Sequence, residues 1–148
     1  MLSFCWVKFS KAGFTILADP VSLKIDFPQD EIVTSRSYLR SQPDVVTRYL
    51  KAIIEAIHYY HNNPEEGVRV MGKYLRVQDG EALEETYKVY REVYQPLPLP
   101  SLQGMQVLLE WMAQRDSRAK EAKAEQFIDS SLLREIEKSG FVASLYQR

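Results

Sequence analysis

The sequence predicts an α/β protein that is predominantly helical, with two strands near the N-terminus followed by about five helices. One observation is that a β-type run, residues 32–35, passes within a few residues into a long helix with a capped start. The other is that the second run with strand character, FTILA at residues 14–18, also precedes residue 40, whereas the rest of the chain has helical periodicity.

Composition and charge set the broad class. With 148 residues, of which 45% are hydrophobic, the chain has the length of one domain and enough apolar residues for a core. The net charge of -1 comes from intermingled acidic and basic residues, so nucleic acid is not an expected partner. No apolar run approaches the roughly 20 residues that span a bilayer. The opening residues, interrupted by Lys8 and Lys11, show no signal peptide.

The first predicted elements are a short helix and the two strands. Residues 4–11 are predicted to form the helix, which Gly13 ends. FTILA is rich in β-branched and apolar residues, as in a buried strand, and a following Asp-Pro pair ends it. Pro28 favours an extended approach to the second strand, Ile32–Ser35.

From Ser41 onward, apolar residues recur at spacings of three and four, which predicts a succession of helices. Ser41 is predicted to cap the first of them, with Pro43 in its first turn, and Pro64 to begin the second. Later helices are predicted to begin at three capping residues, Asp79, Ser101 and Asp129. QPLPLP, residues 95–100, forbids a helix, and Gly140 ends the fifth helix before a short apolar piece.

The sequence gives little support for a metal site or a nucleophilic residue. His58 and His61 are spaced to share one helical face, but no carboxylate or thiol is placed beside them to complete a metal site, so a structural role is favoured. Cys5 is the single cysteine, which excludes an internal disulfide. Because both histidines are far from it in sequence, Cys5 is expected to be a small buried hydrophobic residue rather than a nucleophile. No metal site and no catalytic residue are predicted.

A row of tyrosines is the most conspicuous aromatic feature. Tyr87, Tyr90 and Tyr94 recur on one face of a predicted helix. Together with Tyr59, Tyr60 and Tyr74, they would form a stacking platform for a planar ligand, an exposed partner surface, or rings that wedge between helices, and the last interpretation is favoured. On the same helix Glu81, Glu84 and Glu85 have Lys88 as a partner, which indicates a solvated face. The alternation of Ile32 and Thr34 fits a strand that crosses between two lobes as well as an ordinary sheet strand.

Four segments together resemble the C-terminal portion of the NMT1/THI5-like, SsuA-type substrate-binding proteins of ABC transporters. The segments are LSFCWVKFSKAGFTILAD, EIVTSRSYLRSQPDVVTRYLKAIIEAIHYY, GKYLRVQDGEALEETYKVY and FIDSSLLREIEKSGF. The agreement with the family pattern is best at Lys11–Asp19, Val33–Ser37 and Pro43–Asn62. The resemblance runs over nearly the whole chain and keeps the order of its elements.

The resemblance implies a part of a periplasmic-binding-protein-like type II fold with two lobes. Residues 1–30 would form the end of the second lobe, residues 31–37 a crossover or hinge strand, and residues 38–148 a helical part that packs on the first lobe. The first lobe and the signal peptide are expected to be missing.

The resemblance also implies site residues. Ser3 and Trp6 keep positions of the family pattern and are expected to contact ligand, although Phe4 and Cys5 stand between them where the family often has two prolines. Within the crossover, Thr34 and Ser35 are the expected hinge residues.

By resemblance, the chain is expected to be a non-catalytic component of an ABC-type importer, without cofactor, for small organic or inorganic anions or pyrimidine precursors. Its partners would be the solute and an ABC permease, and its location periplasmic or extracytoplasmic. One alternative is a pyrimidine-precursor synthase of the same fold that uses a pyridoxal phosphate lysine. Another is a helical protein-interaction module, with self-association through exposed fragment surfaces.

Overall fold

The computed structural model describes residues 9–15, 17–18, 23, 26, 28 and 30–147. The helices of this part of the chain are α1 (Arg36–Ser41), α2 (Pro43–Asn62), α3 (Pro64–Leu75), α4 (Gly80–Val93), α5 (Leu102–Ala113), α6 (Ser131–Lys138) and α7 (Phe141–Tyr146). Two short 3-10 turns, Ser117–Lys120 and Ala124–Gln126, lie between α5 and α6. Residues 9–11 are also helical.

The chain divides into two compact units. Unit 1 consists of Met1–Leu23 and Ile53–Pro96, and unit 2 of Lys24–Ala52 and Leu97–Arg148. The boundary falls inside α2, which contributes the buried Leu50 to unit 2 and the buried Ile54 and Ile57 to unit 1. These three residues continue the spacing of three and four that predicted the helix.

The core of unit 1 forms where α3 packs against α4. Its buried side chains come from α2 and α4, namely Ile54, Ile57, Ala82, Leu83, Thr86 and Tyr87. The Thr86 hydroxyl donates to the Ala82 carbonyl at 2.7 Å, so this buried polar group has a partner one turn back in its own helix. Gly67 of α3 is also buried, because the rings of α2 and α4 pack directly on its backbone.

Unit 2 is built around α5, which packs on both 3-10 turns, and around the contact between α6 and α7. Its buried apolar side chains are Leu50, Leu109, Ala124, Leu133 and Ile136. The Lys51 ammonium of α2 lies 4.9 Å from the centre of the Phe141 ring, a cation–π contact that ties α7 to α2.

Most helix ends lie where the capping residues predict them. Asp79 and Ser101 accept from the backbone N–H groups of Ala82 and Gly104, as N-caps do. Pro64 begins α3, as predicted. Asp129 lies one residue before the N-cap of α6, which is Ser130. Its carboxylate nevertheless accepts a hydrogen bond from the first N–H group of the helix, that of Ser131, at 2.9 Å.

The predicted cap at Ser41 is wrong. Ser41 is the last residue of α1, and Gln42 with φ -136° and ψ 48° separates α1 from α2. The following proline explains the break, since the residue before a proline is disfavoured in the helical region. The sequence pattern therefore missed α1, which precedes this break.

The two predicted strands are not present in the part of the chain that the structure describes. Ile32–Ser35 is wrong as a strand, because residues 31–35 belong to no strand although Ser35 is extended, with φ -77° and ψ 149°. Phe14, Thr15, Leu17 and Ala18 are not in a strand either, and Ile16 lies outside the described residues. The physical reason is that a strand needs a hydrogen-bonded partner, which β-type composition does not supply. The described chain is therefore mostly helical rather than a visible α/β sheet.

Candidate functional site

The segment from Phe9 to Phe14 ends its helix in a tightly bonded turn. The Phe14 N–H donates to the Phe9 carbonyl and the Gly13 N–H to the Ser10 carbonyl, both at 3.0 Å. Gly13 has φ +85° and the Phe9 and Phe14 rings meet edge to face at 5.4 Å, so all parts of a Schellman motif are present. The prediction that Gly13 ends a helix is confirmed for the described residues. The K-A-G-F sequence, residues 11–14, therefore forms the end of a helix.

Lys11 attaches this turn to the start of α4 within unit 1. Its ammonium group donates to the Glu81 carboxylate at 2.7 Å and lies 4.0 Å from the Asp79 carboxylate. The hydrogen bond to Glu81 raises the pKa of Lys11 above its ordinary value. Because Glu81 is largely exposed, this ion pair orients the turn more than it stabilises the fold.

The candidate hinge segment, residues 31–35, is exposed and belongs to no helix or strand. Val33 is 88% exposed and Ile32 47%. Ser35 is the N-cap of α1, since its hydroxyl accepts from the Tyr38 N–H at 3.1 Å. Thr34 lies directly before this cap and is exposed. The hinge role of Thr34 and Ser35 stays a prediction.

Acidic residues surround the start of this segment. Burial raises the pKa of Glu31, and the neighbouring charges of Asp30 and Asp26 raise it further. Asp26 also accepts a hydrogen bond from the Ser101 hydroxyl, which places a carboxylate at the N-terminus of α5. A carboxylate is favoured there by the helix dipole. A Cβ atom on Gly104 would lie only 3.0 Å from Asp26 Oδ1, so this close approach depends on glycine.

Arg36 connects the end of the segment to the second 3-10 turn of unit 2. Its guanidinium group donates to the Gln126 carbonyl at 2.8 Å. The next residue, Phe127, is 58% exposed. The contact therefore joins two parts of the chain that lie 90 residues apart.

Tyr60, Tyr87 and Tyr94 of unit 1 are packed against one another, whereas Tyr59 and Tyr74 are largely exposed. The Tyr60 hydroxyl donates to the Tyr87 carbonyl at 3.2 Å, and the Tyr87 hydroxyl donates to the Tyr60 carbonyl at 2.5 Å. Their ring centres are 4.5 Å apart, and Tyr94 meets Tyr60 edge to face at 5.9 Å. Tyr87 is 4% exposed. Burial raises the pKa of Tyr60. These contacts support the interpretation of the tyrosines as rings between helices.

Two further features of the described residues bear on ligand chemistry. An open depression of about 450 Å³ is lined by residues 62–66 and Arg69, and its polar groups bond locally, as Arg69 does with Glu66. His58 and His61 lie half-buried on α2. Among the described residues no group of three or more histidine, cysteine, aspartate or glutamate side chains is arranged to hold a metal.

In the same part of the chain, no helix combines the length and apolar character needed to span a bilayer.

Other predicted site residues lie outside the described part of the chain. These are Ser3 and Trp6, the expected ligand contacts, together with Cys5. Their roles stay predictions. Of the predicted site, the structure therefore places only Thr34 and Ser35, which adjoin each other directly before α1.

The NMT1/THI5-like family model matches residues 11–67 of the chain. This confirms the resemblance over a segment that contains the Gly13 turn, the exposed residues 31–35, and helices α1 and α2. The family includes solute-binding proteins and pyrimidine-synthase-like members. Neither the curated proteins nor the solved structures contain a match to the chain. The SsuA-type assignment stays a prediction.

Proposed function

We propose that the chain is a non-catalytic, SsuA-type solute-binding component of an ABC-type importer, for small organic or inorganic anions or pyrimidine precursors. The observation that carries the proposal is the family match over residues 11–67. The family is associated with a periplasmic-binding-like fold, in which a solute lies between two lobes. An extracytoplasmic location and delivery of the solute to an ABC permease belong to the same proposal.

The exposure of residues 31–35 and their place directly before α1 support this function. An exposed segment outside the helices that leads directly into a capped helix suits a connection between lobes, where a few residues at element ends absorb the change in backbone angles. Thr34 and Ser35 would be these residues. Solute would then select the closed form by contacts that the open form does not make. Ser3 and Trp6 would supply contacts of this kind.

The synthase alternative would need a lysine that forms a Schiff base with pyridoxal phosphate. Such a lysine is activated when its ammonium form is disfavoured. Lys11 and Lys88 have the opposite tendency, because hydrogen bonds to Glu81 and Glu85 raise their pKa values. The raised pKa values therefore argue against a Schiff-base role for these two lysines.

A chimaera tests the proposed function. In a solute-binding protein of this family with a known solute, the region that corresponds to residues 11–67 is replaced by these residues. We expect calorimetry to give a dissociation constant within about tenfold of the parent's, a difference of ~1.4 kcal/mol. The unmodified parent is the control. A chimaera that folds, as judged by circular dichroism, but no longer binds the solute would contradict the proposal.

A second experiment separates binding protein from synthase in the chain itself. The purified chain is incubated with pyridoxal phosphate, reduced with borohydride, and examined by absorbance and peptide mass. We expect no adduct confined to one lysine. A stoichiometric adduct at a single lysine would favour the synthase.

A further inference from the structure

The hydroxyl group of Tyr60 has one proton and lies within hydrogen-bond distance of two acceptors. These are the Tyr87 carbonyl, at 3.2 Å, and the sulfur of Met71, at 3.3 Å. A thioether sulfur is a weak acceptor, so the carbonyl holds most of the hydrogen bond while the sulfur is reduced. The three residues belong to α2, α4 and α3 of unit 1. The acceptor that the hydroxyl prefers therefore depends on the chemical state of the sulfur.

We propose that Met71 is a reversible oxidation site, at which a peroxide forms the sulfoxide and the sulfoxide oxygen takes the Tyr60 hydrogen bond from the Tyr87 carbonyl. In this reaction a lone pair of the sulfur attacks one peroxide oxygen, so that an S–O bond forms and the O–O bond breaks. The second peroxide oxygen leaves as water, so the sulfur is oxidised and the peroxide is reduced. The product side chain is polar, whereas the thioether is apolar and a weak acceptor.

The position of Met71 gives the modification its effect. Met71 is half-buried, so part of its side chain is open to a small oxidant. It lies one turn after Gly67 and therefore on the same face of α3. The Tyr87 ring packs on that face at Gly67. A sulfoxide oxygen at Met71 would thus form beside the two tyrosines that hold α2 and α4 together.

Oxidation would remove one of two matching hydrogen bonds. In the reduced chain each of the hydroxyl groups of Tyr60 and Tyr87 donates to the backbone carbonyl of the other residue. After oxidation only the bond from Tyr87 would remain, because Tyr60 has no second proton to donate. A polar group introduced into packed apolar contacts also weakens them. Oxidation of Met71 would therefore loosen unit 1, and reduction of the sulfoxide would restore it.

This inference goes beyond the proposed function and does not depend on it. It concerns the packing of three helices in unit 1, whereas the proposed function concerns a solute. Failure of either one would leave the other standing.

Limited oxidation with hydrogen peroxide, followed by urea unfolding, tests the effect on stability. Peptide mass shows which methionines carry oxygen. We expect oxidation to raise the equilibrium constant for unfolding at least about fivefold, and methionine sulfoxide reductases to reverse the change. Met71→Leu, a substitution that nearly conserves volume, should abolish the effect. Met112→Leu, at a position that is 40% exposed on α5, is the matched control and should leave the effect in place.

Three results would each overturn the proposal. One is a Met71 that stays reduced when Met112 is fully oxidised. Another is a chain with fully oxidised Met71 and unchanged stability. The third is an oxidative loss of stability that persists in Met71→Leu.

Tyr60→Phe tests the change of acceptor itself, because it removes the hydroxyl and keeps the ring. In the reduced chain this variant loses the bond to the carbonyl, and in the oxidised chain it would also leave the sulfoxide oxygen without its donor. Tyr60→Phe should therefore raise the unfolding constant at least about fivefold more in the oxidised chain than in the reduced chain. Tyr59→Phe, at an exposed position of the same helix, is the control and should have the same small effect in both. Equal effects of Tyr60→Phe in the two forms would overturn the change of acceptor.

Discussion

The buried contact between Gly67 and two tyrosines allows a sharp test of the unit 1 core. In Gly67→Ala, the new Cβ atom would lie 2.7 Å from Tyr87 Cε2 and 3.5 Å from Tyr60 Cδ2. Ordinary contact begins at 3.4 Å, so the Tyr87 ring would have to move by about 0.7 Å. Its hydroxyl bond to the Tyr60 carbonyl opposes that movement.

The expected change in the free energy of unfolding follows from three contributions. Alanine is favoured over glycine inside a helix by up to about 1 kcal/mol. Overpacking a core costs about 1–3 kcal/mol, and loss of the Tyr87 hydroxyl bond about 1 kcal/mol. Gly67→Ala should therefore destabilise unit 1 by about 1–3 kcal/mol, although propensity alone predicts the opposite sign.

Urea unfolding followed by helical circular dichroism measures this change. Gly80→Ala is the matched control, because nothing lies within 4 Å of its added Cβ atom, and it should be neutral or slightly stabilising. In a Tyr87→Phe background the ring is freed from the Tyr60 carbonyl, so the cost of Gly67→Ala should shrink by about 1 kcal/mol. If Gly67→Ala is as stable as the unmodified chain, Tyr87 does not pack on Gly67 as described.

Three other predictions concern single groups. Gly13→Ala should destabilise its turn by about 1–2 kcal/mol, because a φ of +85° is strained for alanine. Hydrogen exchange of the Phe14 amide should therefore accelerate, and unchanged exchange would contradict the turn. The side-chain hydrogen bond from Arg118 lowers the pKa of Asp116 to about 2. In Arg118→Ala, an NMR titration should show the pKa of Asp116 rising toward 3.8. In the unmodified chain, the stability that this ion pair contributes is present above pH 3.8 and is lost as the pH falls toward 2. Burial raises the pKa of Tyr60, so the free energy of unfolding should fall as pH rises above about 10, where the unfolded chain loses this proton. Tyr60→Phe should flatten that pH dependence, and an unaltered slope would count against burial.

Helix positions were predictable because their signals are local. A proline at Pro64 and the capping side chains of Asp79 and Ser101 act on backbone groups within one turn. Gly140 has φ +77°, a conformation that is expected of a glycine directly after a helix. These features need no knowledge of the rest of the chain.

The prediction of two strands was wrong for the converse reason. Ile32–Ser35 has strand composition, but pairing depends on another segment that composition does not identify. The contacts of Arg36 with Gln126 and of Lys11 with Glu81 were unpredictable too, because exposed polar groups 90 and 70 residues apart leave no periodic pattern. The family resemblance, by contrast, was predictable, since it depends on the order of short motifs.

The cap on α1 has a consequence for any motion through this connection. Rotation of the Ser35 backbone would pull its hydroxyl away from the Tyr38 amide, at a cost of about 1 kcal/mol. Thr34 carries no such tether, so the dihedral angles of Thr34 turn more easily than those of Ser35. In the proposed hinge, Thr34 would therefore rotate while the capping bond of Ser35 limits the bending, and α1 would move as one rigid helix.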